Sequence, residues 1–190
     1  LREQMLDNIN KLEHELTTLI DQYWWTFSSF DTMQFWMAVA TFVLPLLAFY
    51  LFVDWKKLFL VCFYGYTYHV LLSYLDAFMN RHNYWEYVYF MIPFLTSNIA
   101  IDASLLPVSY LLLYQYTLNK NKNFYLYGLV VSLFFAFIYA GTLQWLGFYR
   151  LTNGMNNFYL FLIDYGLALL AYWFTSIFLY LSKRKTRQEI

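Results

Sequence analysis

Three aspartates, Asp76, Asp102 and Asp164, stand within or beside long apolar stretches of this 190-residue sequence. A carboxylate in hydrocarbon is costly, so it faces a partner, a wet cavity or the membrane interface. Depth follows from a rise of 1.5 Å per helical residue. Asp76 lies about 27 Å from Leu58, Asp102 about 25 Å before Asn119, and Asp164 about 28 Å before Lys183. The three fall at similar depth toward one face, with Gln144 and Arg150 at the same level. Such a group can bind a cation, a proton or a small polar ligand, with Arg150 as the balancing positive charge. The plainer alternative is three near-interface acids capped by backbone or paired with Arg150 or Arg81. Asp102 is the sharpest candidate. It follows Asn98 and stands five residues before Pro107, where an opened helix exposes carbonyls.

His69 is the residue near the expected midplane that titrates near neutrality. It follows Tyr64, Tyr66 and Tyr68, so a neutral imidazole bonded to a tyrosine competes with a proton-relay or metal role. A histidine-only metal site is weak, because His14 and His82 belong to other segments. Cys62 alone can form neither an intrachain disulfide nor a thiolate zinc site. There is no glycine-rich phosphate loop, no His-Glu-x-x-His helix and no Gly-x-Ser-x-Gly elbow. No catalytic residue, metal ligand set or cofactor follows from these motifs, and haem ligation stays open.

The elements that must position these residues are set by composition. The chain is 61% hydrophobic and 13% charged, whereas a soluble domain is roughly 45–50% apolar and about 25% charged. A soluble globule of this size cannot hide so much apolar surface, and the mean hydropathy of +0.42 agrees. Twelve basic residues balance twelve acids, which leaves no basic surplus for nucleic acid. The expected fold is an all-α integral membrane protein with about five transmembrane helices and an N-terminal amphipathic helix. The low-charge stretches are 32–53, 58–75, 103–119, 123–149 and 158–182, each able to cross a core of about 30 Å. Residues 84–100 are apolar but hold Glu86, Pro93 and Thr96-Ser97-Asn98. They read as an interfacial or re-entrant segment, or as a short helix in a six-span alternative.

Residues 1–28 differ from the rest. Met5, Ile9, Leu12, Leu16, Leu19 and Tyr23 are spaced 4, 3, 4, 3, 4, an a/d seam with Glu3, Asp7, Lys11, Glu13 and Glu15 between. Charge throughout this segment argues against a cleavable signal peptide. A continuous helix over 2–23 is expected, packed through the seam against the bilayer, its own bundle, a second copy or another membrane partner. The bundle then spans 32–182, and 183–190 form a basic tail.

Charge gives topology. In a five-span arrangement Lys56, Lys57, Lys120, Lys122, Lys183, Arg184, Lys185 and Arg187 share one side, against Arg2, Lys11, Arg81 and Arg150 on the other. The positive-inside rule puts the C-terminus in the cytoplasm and the N-terminal helix outside.

The strings Asp54-Trp-Lys-Lys57, Tyr84-Trp-Glu-Tyr87, Pro93, Asp102-Ala-Ser-Leu-Leu-Pro-Val108 and Tyr114-Gln-Tyr116 occur in that order. In these the chain resembles a group of small multi-pass proteins of Bacillus and Clostridium relatives, over about residues 20 to 182. The resemblance implies the cytoplasmic membrane of a Gram-positive spore former and carries no activity. The expected function is a non-enzymatic membrane protein: a sensor, an assembly partner or a small-ligand-binding module. An intramembrane enzyme acting on a lipid or isoprenoid is one alternative, and an ion-coupled carrier or channel is the other.

Overall fold

A computed structural model describes residues 1–95 and 97–186, so Thr96 and the end of the basic tail, 187–190, lie outside the described residues. The chain is predominantly helical. Helix α1 covers Arg2–Phe27, α2 Met33–Phe52, α3 Leu58–Arg81, α4 Leu106–Lys120, α5 Phe124–Leu133, α6 Ala140–Trp145 and α7 Asn157–Thr186. A π-helical stretch, Ile101–Leu105, leads directly into α4, and a second, Phe134–Tyr139, joins α5 to α6. Four helical runs are long and apolar enough to cross a membrane: Met33–Phe52, Trp55–Arg81, Phe124–Trp145 and Asn157–Arg184. The run 101–120 is the most central of the bundle. It packs against α2, α3 and α5 and carries buried Gln115 and Thr117 inward.

Aromatic side chains make the core. Tyr64, Tyr68, Tyr110 and Tyr114 are fully buried between α3 and α4. Tyr64 stacks on Tyr114 and Tyr68 on Tyr110, with ring centroids 4.4 and 4.5 Å apart. Gly65 lets α4 approach this closely, since a Cβ there would stand 2.7 Å from Leu111 Cδ1. The lipid-compatible surface lies elsewhere. Along α2 no residue is buried, and Leu47, Tyr50, Leu51 and Phe52 are exposed.

One feature differs from the sequence expectation, and a second removes one of its alternatives, packing of the α1 seam on its own bundle. First, the fold is not purely helical. Trp85–Tyr87 (β1) and Tyr149–Leu151 (β2) pair antiparallel, with Glu86 opposite Arg150. This small sheet follows α3 and precedes α7, so it covers one end of the bundle. The described residues of 84–98 hold this strand and irregular backbone, so the helix required by a six-span arrangement is absent from them. Left-handed Asn83 and Asn153, with φ of 53° and 49°, turn the chain at the two edges. Asparagine tolerates that conformation because its short amide bonds nearby backbone; Asn153 Nδ2 donates to the Asn83 carbonyl at 2.8 Å.

Second, the seam of α1 is not packed within the chain. Met5, Ile9, Leu12, Leu16 and Leu19 are all exposed. The helix is held only at its C-terminal end, where Trp24 is buried and its Nε1 donates to the Phe90 carbonyl at 3.0 Å. Beyond that anchor no other described element runs alongside α1 closely enough to cover the seam.

Candidate functional site

Three helices deliver the aspartates. Asp76 comes from the last two turns of α3, Asp102 from the π stretch before α4, and Asp164 from the second turn of α7. All three are buried, at 1%, 2% and 4% exposure. They line one cavity of about 50 Å³, together with side chains from β1, β2 and the second π stretch. That space holds roughly three or four water-sized groups.

The three carboxyls are not equivalent. Asp76 Oδ1 accepts from Trp85 Nε1 at 2.8 Å and from the Tyr87 hydroxyl at 2.7 Å, so β1 is tied to α3 through this oxygen. Burial, and then the Asp76 charge, push the Tyr87 hydroxyl well above the usual tyrosine range, so it remains a donor. Asp76 Oδ2 and both oxygens of Asp102 meet no N–H or hydroxyl donor, but the Asp76 and Asp102 carboxyls lie within hydrogen-bonding reach of each other, a pair joined by one shared proton. The charged neighbours of Asp102 are Asp76 and Asp164, which are themselves acids. Among the described residues no basic side chain lines the cavity. Buried polar groups are nearly always satisfied, and here one acid satisfies another, an arrangement that keeps a negative charge in the cavity with no base beside it.

The backbone beneath Asp102 has its own logic. In the π stretch the Leu106 N–H bonds the Ile101 carbonyl, one residue further back than in an α-helix. The next donor in that pattern is residue 107, which is proline and has no N–H. The freed Asp102 carbonyl is taken by His69 Nδ1 at 2.7 Å. A carbonyl only accepts, so Nδ1 carries the proton. His69 is therefore bonded to backbone, not to a tyrosine as expected, because Pro107 leaves an acceptor within its reach. Its ring belongs to a separate apolar recess beside Gly65 and Pro107, and it does not line the acidic cavity.

Arg150 and Gln144 also stand apart from the carboxyls. Arg150 pairs with Glu86 across the sheet at 3.3 Å, and both side chains are more than half exposed. The reason is strand alternation. Successive side chains point to opposite faces, so Trp85 and Tyr149 turn inward while Glu86 and Arg150 turn out. Gln144 Nε2 donates to Asn157 Oδ1 at 3.0 Å, linking α6 to the start of α7, and lies outside the cavity lining. The structure thus gathers Asp76, Asp102 and Asp164, and leaves His69, Arg150 and Gln144 outside.

The aromatic wall was missed at the level of sequence. Trp85, Tyr87 and Tyr149 come from the sheet, and Phe135 and Tyr139 from the second π stretch. The signal lay in Trp85-Glu86-Tyr87 and Tyr149-Arg150-Leu151, each an inward–outward–inward alternation three residues long. Both π stretches border the cavity, a placement common for such irregular turns at functional sites. Among the described residues no group of three or more His, Cys, Asp or Glu is arranged to hold a metal ion.

Fold and cavity together define the class: a helical bundle of multi-pass, membrane-like architecture with a buried acidic chamber under a two-stranded sheet. No family model, curated protein or solved structure matches the chain.

Proposed function

We propose that this chain is a five-span protein of a bacterial cytoplasmic membrane that holds a small cationic or polar ligand in the acidic cavity, near the outer face, without transforming it. The observation that carries the reading is Asp102: buried, meeting no donor but the Asp76 carboxyl, and with only acids as charged neighbours. A fifth span is supported by the 101–120 run, about 30 Å long. Its polar side chains Ser104, Gln115 and Thr117 are buried inside the bundle and therefore need not meet lipid. The excess of Lys and Arg at the opposite end favours the cytoplasm there. The resemblance to proteins of Gram-positive spore formers agrees with that placement. A carrier or channel lacks support, because the basic end offers no matching acidic chamber.

The site is tested with purified protein in mild detergent, by following its melting temperature against added cations and pH. Saturable stabilisation that disappears in Asp102→Asn supports the reading, and indifference of the wild type to every cation and to pH sinks it. Topology is tested separately in a Cys62→Ser background. A cysteine at Asn153 should label from outside intact cells and one at Lys122 should not; the reverse pattern overturns the orientation.

The exposed seam of α1 supports a self-association reading. The helix carries five acids against Arg2 and Lys11, unlike the basic amphipathic helices that lie on bilayers. Two copies in one membrane, each anchored at Trp24, present their α1 helices in parallel. In that register Glu13 comes opposite Asn8 and Glu15 opposite Ile20, so no like charges meet across the seam. Introducing Leu12→Asp and Leu16→Asp together should convert a dimer to a monomer in light scattering. A wild-type monomer at the same concentration would count against pairing.

A further inference from the structure

We propose that the groove between α3 and α7 at the lysine-rich end binds an anionic phospholipid, with an acyl chain between the helices and the phosphate against Lys56, Lys183 and Arg184. The site lies at the opposite end of the bundle from the acidic cavity. It needs the helices to stand in a bilayer and does not depend on any ligand of the aspartates.

The two helices run antiparallel: Asp76 shares a cavity with Asp164 at one end, and Phe63 meets Phe178 toward the other, with ring centroids 5.4 Å apart. Around that aromatic contact, Phe59, Leu60 and Phe63 face Phe178 and Leu179 across a space of about 330 Å³. Phe59 and Phe178 are exposed, so the space opens sideways toward lipid. Thr175 also lines it, but its hydroxyl donates to the Ala171 carbonyl at 2.8 Å. The wall is therefore apolar in effect. An enclosed apolar cavity of about 150 Å³ already takes a benzene ring, and a groove of this size takes a run of acyl methylenes.

Positive charge gathers at the mouth. With Phe63 level with Phe178, each step back along α3 matches a step forward along α7. Lys56, in the 3-10 turn Trp55–Lys57 that precedes α3, thus falls at the level of Lys183 and Arg184. Lys57 is already used: its Nζ donates to Asn119 Oδ1 on α4. Asp54, the acid beside this turn, is engaged as well, accepting from the Lys56 N–H and from Asn119 Nδ2. Lys56, Lys183 and Arg184 are exposed, and among the described residues none of them is in an ion pair. Trp55, exposed beside Lys56, marks the headgroup level at which indole rings settle. Each basic residue near an anionic lipid surface strengthens binding about fivefold. A soluble anion has no use for the groove, and a zwitterionic lipid gains less from the lysines because its own cation offsets the phosphate. An anionic phospholipid uses both.

The test melts the detergent-solubilised full chain with increasing dioleoyl phosphatidylglycerol, with phosphatidylcholine of the same chains, and with sodium phosphate, all at matched ionic strength. The expected result is saturable stabilisation of roughly 3–6 °C by phosphatidylglycerol, beyond that given by phosphatidylcholine. The double variant Lys56→Gln/Lys183→Gln should move that titration to about 30-fold higher lipid, roughly fivefold for each lysine. Lys120→Gln/Lys122→Gln removes the same charge from the same end but outside the groove lining, and should leave the titration within about twofold. All four side chains are exposed, and the melting temperature without lipid reports whether each variant keeps its fold. Equal stabilisation by the two lipids overturns the headgroup assignment. Equal weakening in the two double variants shows diffuse attraction to the basic end and overturns the site. Stabilisation by inorganic phosphate alone, through Lys56 and Lys183, shows a free-anion site and overturns the lipid. No response to any of the three overturns the proposal and leaves the reading of the acidic cavity standing.

Discussion

The two ends of the bundle treat their polar groups in opposite ways. At the lysine-rich end the polar groups at the helix junctions are paired among the described residues. Gln115 Oε1 accepts from the Asp54 N–H at 2.7 Å while its Nε2 donates to the Phe52 carbonyl at 2.8 Å. Lys57 Nζ donates to Asn119 Oδ1, whose Nδ2 donates to Asp54 Oδ2 at 3.3 Å. Asn123 caps α5. At the sheet-covered end Asp76 Oδ1 takes two donors, while the Asp102 carboxyl meets only the Asp76 carboxyl. One end uses polar groups to close the junctions between helices. The other holds hydrogen-bonding capacity in reserve, as a binding site requires and a structural cap does not.

That contrast predicts opposite responses to similar substitutions, measured as unfolding free energy in detergent. The largest effect is expected from Gln115→Leu, which strips the Asp54 N–H and the Phe52 carbonyl of their shared partner and should cost about 2–4 kcal/mol. If it is neutral, the basic end is not the closed end described here. Tyr87→Phe comes next. It removes one of two donors to Asp76 Oδ1 and should cost roughly 1.5–3 kcal/mol, with increased proteolytic access to residues 84–98 as a second readout. Asp102→Asn should do the reverse of Gln115→Leu: no loss, and a gain of up to about 1 kcal/mol, because an amide can donate to Asp76 where two facing acids must share a proton. A loss of about 2 kcal/mol or more would mean that Asp102 takes a donor besides the Asp76 carboxyl, and the contrast between the ends would collapse. The smallest effect belongs to Arg150→Ala. It breaks an exposed ion pair with Glu86 and should change stability by less than about 0.5 kcal/mol, leaving the cation response intact. A large loss of binding there would bring Arg150 back to the site.

The depth of the three aspartates was legible in the sequence, because rise per residue along a helix is constant and the basic clusters mark one end. Their convergence was not. Depth leaves the rotation of each helix free, and only packing of α3, α4 and α7 around the tyrosine column turns Asp76, Asp102 and Asp164 to one chamber. Arg150 shows the same limit from the other side. It lies at the right level, yet strand alternation aims it outward, and a three-residue strand is too short to reveal its period against an apolar background.

By itself, then, the sequence determined a helical, membrane-compatible chain, an amphipathic N-terminal segment, and a polar level near one end. These are properties of composition and local spacing, which no distant contact alters. Tertiary structure alone decided which acids share a cavity, that β1 and β2 cover it, and that His69 bonds the carbonyl freed by Pro107 instead of a tyrosine. Each of those depends on residues more than 25 positions apart. Their meeting is set by how helices rotate and pack, and that information is spread over the whole chain.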